Sequence, residues 1–150
     1  MTATPTKVVP AAAKKFQNQF VNLLGRRTRS ERDVVRLVES GIPLTVLNRL
    51  MQRGLSKAEV FGVIIPARTL KHRKSKRQPL SKEESERVVR TIRILATANA
   101  VLGDDNSALA WLRAPKKRFE GRAPIQMLAT EPGGRLVEEM LIQIEEGMFA

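Results

Sequence analysis

Apolar residues recur every three or four positions through most of this chain, which is the spacing of one face of an α-helix. The clearest example lies near the C-terminus, where Val137, Met140, Leu141 and Ile144 occupy positions i, i+3, i+4 and i+7. No segment shows the sustained apolar–polar alternation of a convincing strand. The pattern therefore predicts an all-α fold.

Cap-forming residues divide this pattern into separate helices. Ser56 with Glu59, and Ser81 with Glu84, have the spacing of a capping box, in which each side chain bonds the other residue's backbone N–H. The second box starts the longest predicted helix, which ends at Gly103. The apolar stripe of that helix is long enough to serve both the core and a dimer contact, and it comprises Val88, Ile92, Leu95 and Leu102.

Two short helices joined by a tight link are predicted between Gly54 and Lys76. The first helix extends to about Val63, and Pro66 suits the first turn of the second. The second helix carries cations without any acid: Arg68, Lys71, Arg73, Lys74, Lys76 and Arg77. This arrangement predicts a helix-turn-helix, whose second helix enters the major groove of DNA. A solvated charged helix beside a linker is the alternative, and Ile64 stands in the turn where a small residue is usual.

The charge of the chain is unevenly distributed. The net charge is +12, and residues 1–80 hold 17 Lys or Arg against 4 acids, whereas residues 81–150 hold 10 against 11. A basic half is expected to meet a polyanion, because Lys and Arg that neutralise phosphates release counterions. A basic protein without such a partner is the simpler alternative.

Several classes of function are disfavoured by the residue inventory. The chain has no cysteine and one histidine, His72, so no thiolate or histidine cluster can hold a metal. Acidic pairs such as Asp104 with Asp105 point about 100° apart on a helix and do not converge on a substrate. We expect no enzyme activity, cofactor, metal site or membrane span. A cytoplasmic location is expected, since no signal peptide is apparent. Gly133 and Gly134 are interpreted as a turn.

The C-terminal part of the chain carries a family resemblance. The segment from Gly54 to Leu80, the helix after Ser81, and the sequence ALAWLRAPKKRFEGRAPIQMLATEPGGRLVEEMLIQIEEGMFA resemble the Xre/MbcA/ParS antitoxins. Within that group the chain is most similar to the antitoxins of RES–Xre toxin–antitoxin pairs. The resemblance covers roughly residues 40–150, and its more specific part is the C-terminal one.

The resemblance implies a homodimeric protein that binds operator double-stranded DNA and represses its own operon. It also implies a partner, an NAD-consuming RES-type toxin whose active-site cleft is blocked by the antitoxin's C-terminus. The DNA contacts then fall on the basic helix, at Arg68, Thr69, Lys71, His72 and Arg73, with Lys74 and Lys76 expected on phosphates. The toxin contacts fall on Ile144, Glu145, Glu146, Gly147, Met148, Phe149 and Ala150.

This interpretation divides the chain into three parts. Residues 1–29 are expected to be a basic, flexible arm, although Phe16 and Phe20 have helical spacing with Leu23 and Leu24. Residues 30–103 are expected to bind DNA and dimerise, and residues 104–150 to bind the toxin. Trp111 fits either the core or an interface. The alternative function is a stand-alone Xre-type regulator with a C-terminal dimerisation or sensing domain.

Overall fold

The computed structural model describes residues 11–147 and contains nine α-helices in this range. No residue of this range lies in a strand, so the predicted all-α fold is confirmed. The helices are α1 (Ala11–Leu24), α2 (Glu31–Ser40), α3 (Thr45–Gln52), α4 (Lys57–Val63), α5 (Ala67–Lys76), α6 (Lys82–Leu102), α7 (Asp105–Arg113), α8 (Pro124–Met127) and α9 (Glu131–Glu145). A 3-10 turn, Lys117–Phe119, lies between α7 and α8.

The longest helix, α6, is the centre of the molecule. Helices α1, α2, α7 and α9 all pack against it. Its residues Val88, Ile92, Ala96 and Ala98 are fully buried. Because Val88 and Ile92 lie on a different face of the helix from Ala98, α6 is covered on more than one side. The stripe predicted from the sequence is therefore core, and its half-buried members Leu95 and Leu102 also pack against the core.

The N-terminal segment differs from the flexible arm expected over residues 1–29. Residues 11–24 form α1, whose Phe20, Leu23 and Leu24 are buried. The Lys15 ammonium donates to the carbonyl of Gly103 at 2.5 Å, at the far end of α6. The physical reason is the apolar stripe of α1, which covers α6 rather than remaining in water. Residues 1–10 lie outside the described part of the chain.

The Gly133–Gly134 pair is not a turn, contrary to the interpretation made from the sequence. Both glycines lie in the first turn of α9, and the Thr130 hydroxyl accepts the N–H of Gly133 at 3.1 Å. A Cβ at Gly133 would overlap the carbonyl of Met127, and one at Gly134 would lie 2.7 Å from Cδ of Arg90. The pair is needed because α8 and α6 approach the start of α9 closely.

The predicted helix starts are largely confirmed. Both capping boxes are present, at Ser56 with Glu59 and at Ser81 with Glu84. Ser30 begins α2 without a side-chain cap; instead, Asp33 accepts the backbone N–H of Arg29 at 2.7 Å.

Among residues 11–147, no helix combines the length and the apolar content that crossing a membrane requires.

Two glycine substitutions test this packing. Gly133→Ala should lower the free energy of unfolding by about 1–3 kcal/mol, because the new methyl group overlaps backbone that cannot move freely. Gly62→Ala is the matched control, since no atom lies within 4 Å of its Cβ position in α4. That change should stabilise the chain by about 0.4–1 kcal/mol through helix propensity and a more restricted unfolded chain. Urea denaturation of both variants is the measurement, and equal stability of the two would contradict the packing described.

Candidate functional site

The predicted helix-turn-helix is formed by α4 and α5. The Ser56 hydroxyl accepts the N–H of Glu59 at 3.1 Å, and the Glu59 carboxylate accepts the N–H of Ser56 at 2.9 Å. This box fixes the start of α4, whose Val60 and Val63 are buried. Helix α5 then packs on the core through a single buried residue, Leu70. The other residues of α5 are exposed, apart from the half-buried Thr69 and Arg73.

The link between the two helices accommodates Ile64 without strain. Its backbone has φ −106° and ψ −59°, which is open to any residue, so a glycine is not needed there. The side chains of Ile64 and Ile65 are both fully buried. Arg87 of α6 donates to the carbonyl of Ile64 at 3.2 Å, so α6 also holds the link in place. Ile64, which replaces the small residue usual at this position, thus anchors the turn in the core.

The surface of α5 is strongly cationic. Five of the predicted DNA contacts are exposed on it, namely Arg68, Lys71, His72, Lys74 and Lys76, while Thr69 is half-buried. The helix ends at Lys76, and the next residue, Arg77, adopts a left-handed conformation with φ 53°. Exposed cationic donors of this kind are suited to contacts with a phosphate backbone and with base edges.

Arg73 has a different environment from the other predicted DNA contacts. Its guanidinium donates to both carboxylate oxygens of Glu84, at 3.2 and 3.4 Å, and to the side-chain amide oxygen of Gln78 at 3.2 Å. The Glu84 carboxylate is buried at the start of α6. The pair therefore fixes the basic helix on α6, and Arg73 acts as a positioning residue in the free protein.

Burial raises the pKa of Glu84, but hydrogen bonds outweigh it. The backbone N–H of Ser81 donates to the carboxylate at 2.8 Å, and Arg73 adds hydrogen bonds and a positive charge. The net result is a pKa below the usual glutamate range. Glu84 is thus ionised at neutral pH and holds Arg73 in place.

A second ion pair, missed in the sequence analysis, joins α4 to α7. Arg113 donates to both carboxylate oxygens of Glu59, at 2.8 and 2.9 Å, and to the carbonyl of Gly54 at 2.7 Å. The hydrogen bond from Arg113 lowers the pKa of Glu59, against an opposing effect of burial. Residues 54 positions apart gave no sequence signal for this contact.

Most of the described residues that the sequence analysis assigned to toxin contact, at the C-terminal end of α9, are exposed. Glu145, Glu146 and Gly147 are exposed, and Ile144 is half-buried. Gly147 has φ +76° and its N–H bonds the carbonyl of Ile144 at 3.0 Å, so the chain leaves the helix there. The predicted contacts Met148, Phe149 and Ala150 lie outside the described residues.

Two apolar residues on α9, Leu136 and Ile142, face solvent and were not singled out by the sequence analysis. They are 48% and 42% exposed.

Trp111 has an intermediate position, because it packs against the core while Lys116 lies 4.9 Å from the centre of its ring. Within residues 11–147, no group of His, Cys, Asp or Glu side chains is arranged to hold a metal ion.

Comparison with known proteins identifies two domains in this chain. Residues 33–93, which include α4 and α5, match the antitoxin Xre-like helix-turn-helix domain. Residues 97–147 match the antitoxin Xre/MbcA/ParS C-terminal toxin-binding domain. An antitoxin Xre of Pseudomonas putida is 46% identical over 110 residues, which cover 73% of this chain and 69% of that protein. The chain belongs to the Xre antitoxin family.

More distant relatives agree with this assignment. An antitoxin Xre of Yersinia enterocolitica is 29% identical over 75% of this chain and 78% of its own length. A protein of Sphingobium named Prs ADP-ribosylating antitoxin is 25% identical over 79% of this chain and 81% of its own length. The protein is thus an antitoxin of a toxin–antitoxin system, with a DNA-binding domain followed by a toxin-binding domain.

The contact between Glu59 and Arg113 makes the antitoxin's stability depend on pH. Since the folded state lowers the pKa of Glu59, this contribution is complete above its usual value near 4.5 and is lost as the pH falls through the lowered value. Glu59→Gln should lower the free energy of unfolding by about 1 kcal/mol at neutral pH, and by less at about pH 3. Urea denaturation at both pH values checks this, with Glu138→Gln, an exposed acid on α9, as the control. The prediction is wrong if Glu59→Gln lowers the free energy of unfolding by the same amount at both pH values.

Proposed function

We propose that this antitoxin neutralises an NAD-consuming RES-type toxin by blocking its active-site cleft, and that it represses its own operon. The observation that carries the proposal is the match of residues 97–147 to a toxin-binding domain. The name of the Sphingobium relative, an ADP-ribosylating antitoxin, mentions a reaction that consumes NAD, which fits a toxin–antitoxin system built on NAD chemistry.

The DNA-binding part of the proposal rests on the exposed face of α5. Arg68 and Thr69 lie in the first turn of α5, and the N-terminal residues of a recognition helix are the ones that reach base edges. Lys74 and Lys76 lie in the last turn and are assigned to phosphates. Lys71 and His72 lie between them. Two copies of the antitoxin reading two half-sites as a two-fold dimer complete this proposal.

The toxin-binding part rests on the end of α9. Glu145 and Glu146 are exposed carboxylates next to the left-handed Gly147. They are suited to pair with cationic groups that a toxin uses to hold an anionic cofactor. Met148, Phe149 and Ala150 follow, and an aromatic residue in a partner's cleft can dominate the binding free energy.

The first test of this proposal concerns the basic helix. Arg68→Ala should weaken operator binding by about 1–3 kcal/mol and relax its sequence preference, because a two-pronged contact to a base is lost. Lys74→Gln with Lys76→Gln should weaken binding to all sequences and flatten its salt dependence. Mobility-shift titration on the antitoxin's own upstream DNA and on scrambled DNA separates the two effects.

Arg73→Ala is the matched control for Arg68→Ala. It should lower the free energy of unfolding, because the buried Glu84 carboxylate loses its partner. Its effect on DNA affinity should be the same for operator and scrambled sequences. If the double variant Arg68→Ala with Lys71→Ala binds the operator as tightly as wild type does, α5 does not bind DNA.

The second test separates the toxin from the operator. Removing residues 147–150 should leave operator binding intact and should abolish or strongly weaken rescue of cells that express the cognate toxin. The physical reason is the loss of the apolar end that is proposed to enter the cleft. Operator affinity and cell survival are the two measurements.

The Arg68→Ala variant provides the reciprocal control, since it should rescue cells while failing to bind the operator normally. If the truncated chain rescues cells as well as wild type does, the end of the chain does not block the toxin. The blocking surface would then have to be sought elsewhere on the C-terminal domain, beginning with the exposed Leu136 and Ile142.

A further inference from the structure

A cationic groove of about 1280 Å³ lies between α1 and α2. Four exposed arginines line it, namely Arg26, Arg27, Arg29 and Arg36. Among the described residues that line the groove, Asp33 supplies the one carboxylate, 3.6 Å from the guanidinium of Arg36. The groove therefore carries a clear excess of positive charge. Three of the four arginines precede residue 33, outside both matched family domains.

The arginines of the groove are held by packed elements on both sides. Helix α1 ends with the buried Leu23 and Leu24, and Gly25 turns the chain with φ +74° and an N–H bond to the carbonyl of Val21 at 2.8 Å. Helix α2 begins only six residues later, at Glu31. The four guanidinium groups carry like charges that repel one another, and an anion in the groove would relieve that repulsion.

Packed backbone links the groove to the segment that follows α5. Ser40, at the end of α2, lines the groove, and a Cβ on the next residue, Gly41, would lie 2.6 Å from the carbonyl oxygen of Leu80. The N–H of Leu80 bonds the carbonyl of Ile42 at 2.9 Å. Leu80 follows the last residue of α5, Lys76, by four positions. The cations of α5 and those of the groove thus lie on connected, packed segments.

The lining residues match a phosphate backbone in their chemistry. A guanidinium group binds phosphate through two parallel hydrogen bonds, and the exposed amides of Asn18 and Asn22 add further donors. Of the described lining residues, two are apolar, the half-buried Val21 and the buried Leu37, whereas an interface with a folded protein usually has an apolar centre. Because the first turn of a recognition helix meets the bases, its far end lies toward the flanking backbone.

We propose that this groove binds the phosphate backbone of DNA that flanks the site read by α5. The inference rests on the proposed DNA binding by α5 and adds a second, sequence-independent contact surface to it. Phosphate contacts carry no sequence information but contribute strongly to affinity and to its dependence on salt. The surface is contributed largely by the N-terminal segment that both family domains leave out.

The test measures binding of the full-length antitoxin to a random-sequence duplex of about 40 bp, long enough for flanking contacts. Fluorescence anisotropy is recorded at several salt concentrations. In the groove variant, Arg26→Gln with Arg27→Gln, affinity should fall about tenfold or more, and the slope of log K against log salt should flatten by about 2. Arg26→Lys with Arg27→Lys should keep most of the salt slope, since the charges remain.

Two further variants serve as controls. Lys117→Gln with Arg122→Gln removes the same charge from an exposed part of the C-terminal domain and should leave the salt slope near that of wild type. Arg68→Gln with Lys71→Gln reports on α5 alone. Thermal melting confirms that each variant is folded; the groove arginines are exposed, so their replacement should not change the melting temperature.

The outcomes separate this inference from the proposed function. If the α5 variant loses affinity while the groove variant behaves like the C-terminal control, the groove does not bind DNA and the assignment of α5 stands. If the groove variant alone loses affinity, the groove binds DNA but α5 does not. The assignment of α5 is then wrong, and so is the inference that the groove contacts DNA flanking a site read by α5. If the groove variant keeps its DNA affinity but no longer binds purified toxin, the groove is a protein interface and the inference is overturned.

Discussion

Burial of α6 is the constraint on which the rest of the structure depends. Val88 and Ile92 have no exposed surface, and neither do Ala96 and Ala98 further along the helix. Removing this apolar surface from water is a main stabilising contribution to the fold. Helices on both sides of α6 supply the cover, so the DNA-binding and toxin-binding domains share one core. The proposed functions therefore occupy separate surfaces of a single packed body.

Ion pairs between distant segments orient the helices around this core. Arg53 donates two hydrogen bonds to Asp105, at 2.9 and 3.0 Å, and the hydrogen bond from Arg53 lowers the pKa of that carboxyl. Asn99 donates to the same carboxylate at 2.7 Å. The contacts of Glu59 and Glu84 with arginines follow the same principle. Among the described residues, the cations outside such pairs include Arg68, Lys71, Lys74 and Lys76 of α5 and Arg26, Arg27 and Arg29 of the α1–α2 groove.

The chemistry of α5 shows how packing divides one run of charged residues between two roles. Arg73 and Arg68 are the same residue type on the same helix, five positions apart. Five positions rotate a side chain by about 140°, so one guanidinium meets the buried Glu84 and the other meets solvent. The basic run of α5 thus contains both a positioning residue and residues exposed for contact with a partner. Their roles can be told apart only from the tertiary structure.

The sequence by itself determined the local features of this protein. The helical periodicity, both capping boxes and the basic helix after Pro66 follow from interactions between residues close in the chain, and each was correctly predicted. Tertiary structure alone decided the packing of α1 on α6, the helical place of Gly133 and Gly134, and the partner of Arg73. Those outcomes depend on which distant surfaces meet, because a contact such as that between Arg113 and Glu59 leaves no mark in either local sequence.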